Sequence, residues 1–147
     1  MTENKKSNEE TLSEIYRNAQ LALQSISDIM PEIEDENVKE EIAREHEEYE
    51  KICAAATLLA RESGQELKEP NPLKKAMMWS SIKMNAMSDN SAQHVADMMI
   101  KGTVMGITSL KQTKTDSEGL LDEEVDELLN KLISLEESFE EKWKNFL

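Results

Sequence analysis

The sequence predicts an all-α four-helix bundle, and three observations lead there. The 147 residues include only three prolines and four glycines, and the strand-favouring aromatics amount to 4%, which is a helical composition. Apolar residues recur at steps of three and four, the period of one helix face. Helix start and stop signals cut the chain into separate segments. A chain of this length forms one core, so residues 1–147 are expected to make a single domain.

In the first helix, Ser7-x-x-Glu10 and Thr11-x-x-Glu14 are capping-box patterns, with residues 1–7 flexible ahead of them. Leu12, Ile15, Ala19, Ala22, Ile26 and Ile29 form its apolar stripe, and Pro31 sets its end near Met30. The second helix is expected from an Asn37/Glu40 box to Gly64. Val38, Ile42, Tyr49, Cys53, Ala56 and Leu59 or Ala60 share one of its faces. The last opens at Ser117 or Asp122 and carries Val125, Leu128, Leu132, Leu135, Phe139 and Trp143 or Phe146 to the C-terminus.

Between Pro72 and Thr113 one unbroken helix would run about 60 Å, longer than its neighbours at roughly 35 to 40 Å. The polar run Ser88, Asp89, Asn90, Ser91 offers a break, because such side chains compete for backbone hydrogen bonds and prefer caps. A short helix from Pro72 to Met87, capped by Asn71, then precedes a third bundle helix from about Ser91 to Thr113. Two helical hairpins joined by a long helical crossover result.

With that crossover, nearly the whole chain resembles the ferritin-like superfamily, in its rubrerythrin-type branch. The resemblance implies an up-down four-helix bundle, in which a Glu from each of two helices and a Glu-x-x-His from each of the other two enclose two metal ions. In this chain "EEIAREHEEYEKI" reads His46-x-x-Tyr49, with Ala43 three residues before His46. The last helix offers Glu137-x-x-Glu140 or Glu136-x-x-Phe139, without histidine, and the first offers only Gln20 and Gln24. Three of the four contributions depart from the pattern, so the dimetal site is expected to be lost.

Formal charge is −14, from 31 acidic and 17 basic residues. Such a surface repels phosphate backbones and anionic lipid head groups, which argues against nucleic-acid and membrane partners. The opening "MTENKKSNEE" contains no apolar stretch of a signal peptide, and no segment has the length of a membrane span, which points to the cytoplasm. Cys53, the single cysteine, lies in "KICAAATLLA" and reads as a small core hydrophobe.

His46 and His94 lie on or beside buried stripes. They read as core histidines, or as a repurposed site for iron or manganese formed by His46, His94, Asp97 and Glu45 or Glu50. Seven of the nine methionines fall between Ala76 and Gly106. Met77, Met78, Trp79, Ile82, Met84 and Met87 cannot all point inward from one short helix, since Met77 and Trp79 are about 200° apart. Their apolar surface is expected to form a homodimer contact. A copper site on Met84, Met87, Met98 and His94 has less support, for want of an export signal.

Gly102-x-x-x-Gly106 suggests a close helix approach, or a flat cavity lined by Met98, Met105 and Trp79. No hydrolase triad or phosphate loop is present. The expected function is a non-catalytic binding or structural bundle without a resident cofactor. Its competitor is an iron- or manganese-dependent oxidoreductase or storage protein.

Overall fold

The computed structural model describes residues 2–70 and 89–147. They form four helices, α1 Thr2–Ile29, α2 Glu36–Glu62, α3 Ala92–Asp116 and α4 Glu123–Lys144, with a 3-10 turn at Met30–Glu32. No strand occurs among the described residues.

α1 starts earlier than either capping box predicts. Thr11 is buried in the core rather than capping, and the Asn8 side chain instead accepts the backbone N–H of Asp122 at 2.9 Å. α2 is capped by Asp35, not Asn37: Asp35 has extended geometry and accepts Val38 N–H at 3.0 Å. That bond satisfies one of the first-turn donors a helix leaves open. Gly64, at φ +74°, ends α2 in the left-handed region that glycine enters without a Cβ penalty.

Ser91 has extended geometry and caps α3 through His94 N–H at 3.3 Å. Asp89, Asn90 and Ser91 are outside any helix, which excludes one unbroken helix from 72 to 113. The expected short helix from Pro72 to Met87 and its Asn71 cap lie outside the described residues.

Four hydrogen bonds fix the direction of the helices. Gln65 Nε2 donates to Glu9 O at 2.8 Å and Ser13 Oγ at 3.1 Å, which brings the end of α2 to the start of α1. Asp122 and Asn8 bring the start of α4 to that same end. At the opposite end Asn90 Nδ2 donates to Glu32 O at 3.0 Å, seating the start of α3 beside the α1–α2 turn. α2 and α3 therefore run in the same direction, and residues 66–89 connect opposite ends of the bundle. α1 packs chiefly on α2 and α3 on α4, while α4 touches both helices of the first pair and α1 touches α3.

The core between these hairpins includes Leu12, Ile15, Ile42, Ile52, Leu110, Leu129, Leu132, Phe139 and Trp143, all 2% exposed or less. Burial of side chains of this size contributes about 1.5–3 kcal/mol each relative to leaving them in water. α3 has the weakest stripe: Val104 and Met105 are 41% and 74% exposed. No described helix is long and apolar enough to cross a membrane.

Candidate functional site

Four acidic side chains are buried among the described residues: Asp28, which accepts from Gln24 at 2.9 Å on its own helix, and Glu41, Glu45 and Glu136. Glu41, Glu45 and Tyr49 follow one another at steps of four on α2. Each step turns only about 40° around the helix, so all three face inward. Glu136 takes the same place on α4, one turn from Leu132 and just under one from Phe139.

At one end of this row, Glu41 takes a two-pronged contact from Arg44, at 3.1 Å from Nε and 2.7 Å from Nη2. The same guanidinium rests over the Phe139 ring at 5.4 Å. Glu45 is completely buried. The Glu41 carboxyl and the Trp143 indole lie beside it, yet neither Glu45 oxygen has an N–H or O–H partner at bonding geometry.

Burial, followed by the Glu41 carboxyl, pushes the Glu45 pKa up to about 10, so at neutral pH Glu45 holds a proton that it can share with Glu41. Burial also acts to raise Glu41, but the hydrogen bonds with Glu45 and Arg44 bring it below the usual Glu range. The two form an acid–carboxylate pair that carries one charge, matched by Arg44.

At the other end, Tyr49 Oη donates to Glu136 Oε2 at 2.7 Å. Tyr49 stacks edge-on against Phe139 with centroids 5.4 Å apart. The Asn18 amide of α1 also supports Glu136. On α3, a Cβ placed on Gly106 would lie 2.9 and 3.1 Å from the Glu136 oxygens and 3.0 Å from Asn18 Nδ2. Burial, partly offset by Tyr49 and Asn18, raises the Glu136 pKa to about 7. Tyr49 is driven well above its ordinary value by burial and by the Glu136 charge.

The residues expected to bind iron or manganese are not gathered in one place. His46 Nδ1 pairs with Glu50 at 2.8 Å on the half-exposed flank of α2, while Glu45, one residue earlier and about 100° round the helix, is in the core. On α3 Asp97 pairs with Lys101 at 2.8 Å, and His94 is half-buried. Measured from the N-termini of α2 and α3, which run in the same direction, the two histidines differ by eight residues, roughly 12 Å along the axis. Among the described residues, no three His, Cys, Asp or Glu side chains are placed to hold a metal ion.

Met98 of the copper set is also half-buried on α3, whereas Met84 and Met87 lie outside the described residues. So do Met77, Met78, Trp79 and Ile82 of the expected dimer contact. Cys53 is buried, as its apolar run predicts, with its pKa raised to about 11 by burial. Such a thiol is a poor nucleophile. Of the two glycines, only Gly106 is crowded, and by side chains rather than a helix backbone. Gly102 is exposed, with nothing within 4 Å of where a methyl group would sit, and Met105 faces solvent instead of lining a cavity.

Sequence reasoning missed Glu41, Asn18 and the Tyr49 hydroxyl, and placed Glu136 only as part of an incomplete motif. A usable signal was present: Glu136 sits four residues after Leu132 and three before Phe139, inside the apolar stripe. Comparison with protein families, curated proteins and solved structures finds no match to this chain.

Proposed function

We propose that this chain is a ferritin-like bundle that serves as a non-catalytic binding or structural protein, with protons rather than metal ions at its buried carboxyls. The observation that carries this reading is the Glu41–Glu45 pair, whose neighbours are Arg44 and the Trp143 indole. A dimetal site instead needs imidazoles and several converging carboxylates. Near the middle of the helices α1 contributes the amide of Asn18 and α3 contributes Gly106, neither a charged oxygen. Phe139 follows Glu136 where an imidazole would be required.

The ferritin-like assignment is supported by the shared direction of α2 and α3, whose connected ends lie at opposite ends of the bundle. The homodimer belongs to the same proposal. It rests on the apolar residues Met77, Met78, Trp79, Ile82, Met84 and Met87, which the pattern spreads over several directions.

The test is elemental analysis of protein expressed with added iron and manganese, beside Glu45→Gln/Glu136→Gln and His46→Ala/His94→Ala variants. No metal above background is expected in any sample. Near-stoichiometric metal that one of the double variants loses would replace this reading with an oxidase or storage protein. Sedimentation of the wild type and of a Met77→Ser/Trp79→Ser variant tests the dimer, and a wild-type monomer would remove it.

A further inference from the structure

Glu136 is a buried carboxyl on which all four helices meet. α4 carries it, α2 donates the Tyr49 hydroxyl at 2.7 Å, α1 supplies Asn18, and α3 brings Gly106 against both oxygens. Tyr49 and Asn18 belong to the α1–α2 hairpin and Glu136 to the other, so these bonds cross the seam between hairpins.

Among the described residues, no cation balances the site. Asn18 from α1 is neutral, Gly106 from α3 has no ionisable group, and Tyr49 from α2 is held in its phenol form. The next acid on α2, Glu45, is itself protonated and lies four residues before Tyr49 on the same helix. Lys111 of α3 pairs at 3.4 Å with the exposed Glu137 instead. Acceptors also outnumber donors here, because Glu136 Oε1 and Asn18 Oδ1 are both buried without a hydrogen-bond donor. A proton on the carboxyl adds a donor where one is lacking.

We propose that Glu136 is a proton-operated latch between the two hairpins: its neutral carboxyl closes the seam around Tyr49 and Asn18, and transfer of its proton to solvent opens it. The buried, unpaired charge left by ionisation is what drives the seam toward water. With a Glu136 pKa of about 7, the latch works near neutrality. This inference rests on the reading of the core carboxyls as proton sites, so its test begins with chelator-treated protein.

Hydrogen-exchange protection factors of amides flanking Tyr49 and Glu136 are measured from about pH 5 to 8 in the wild type and in Glu136→Gln. Opening releases one proton while the closed form holds it. The wild-type to Glu136→Gln protection ratio should therefore fall by up to about tenfold per pH unit below 7, then level off. Parallel profiles would overturn the latch. Tyr49→Phe gives a second reading, independent of whether Glu136→Gln folds. It removes a bond that favours the ionised form, so the levelling point should move to higher pH, and an unmoved point would also overturn the latch. A wild-type profile altered by added iron or manganese would count against the metal-free core, while the Glu136→Gln ratio decides the latch on its own.

Discussion

The Tyr49 hydroxyl donates to Glu136 Oε2 across 2.7 Å, tying α2 to α4 where both residues are 3% exposed. Replacing Tyr49 by Phe keeps the ring against Phe139 and deletes only the donor. The expected loss is about 1–3 kcal/mol, the range for a buried hydrogen bond to a group that can carry charge. It should be larger at pH 8 than at pH 6, since the ionised carboxylate needs the donor more. Urea unfolding at the two pH values measures it, and an equal or reversed difference would contradict the arrangement.

Glu45 controls the alkaline side of the stability profile. Its pKa in the folded protein, about 10, lies above the ordinary 4.5. Stability from this group is complete below about pH 4.5 and declines as pH rises toward 10, because only the unfolded chain releases the proton. A single such group contributes a slope of up to about 1.4 kcal/mol per pH unit. Glu45→Gln keeps the shape without the proton equilibrium. Its melting temperature should therefore fall less than the wild type's between pH 7 and 9, and identical slopes would show that Glu45 is already ionised.

The two glycines of α3 should respond in opposite directions to alanine. Gly102 faces open space, so Gly102→Ala should gain about 0.5–1 kcal/mol of helix propensity. Gly106→Ala would place a methyl 2.9 Å from Glu136 Oε1. That carboxyl can give way only by stretching its bond to Tyr49, so a net loss of about 1–2 kcal/mol is expected, within the range for overpacking. Denaturant midpoints of both variants make the comparison, and a stabilised Gly106→Ala would show that the seam has room.

Asp35→Ala removes the side chain that accepts Val38 N–H at 3.0 Å. The expected cost is about 1 kcal/mol, whereas Asn37→Ala should cost little, because Asn37 is already inside α2. Thermal unfolding of the two variants distinguishes the cap that forms from the one the sequence suggests. Equal losses would place the start of α2 elsewhere.

Much of the fold is legible in the chain because helix periodicity and caps are local. Leu12, Ile15, Ile26, Ile42, Leu128 and Trp143 are in the core where their spacing places them. The break at Asp89–Ser91 follows from side chains that prefer to cap, and Ser91 does so. The missed start of α1 has a different origin. Capping boxes compete with tertiary partners, and Thr11 is taken up by the core.

The candidate site was less legible. His46 and Glu50 were grouped as members of one metal site, and they meet as an ion pair on the flank of α2. Glu45 was grouped with them by proximity in sequence, although neighbouring residues on a helix point about 100° apart. Glu41 was passed over and Glu136 was read only as part of an incomplete motif, since carboxylates are ordinarily exposed.

By itself, then, the sequence determined four amphipathic helices, their approximate ends and the apolar stripes that bury them, because these depend on contacts within a turn or two. Tertiary structure alone decided that α1, α2 and α3 would converge on Glu136, that Gly106 would leave room for its carboxyl, and that Trp143 of α4 would lie beside Glu45. Whether a buried acid holds a proton depends on which donors and charges other helices place around it. That surrounding is a property of packing, not of spacing along the chain.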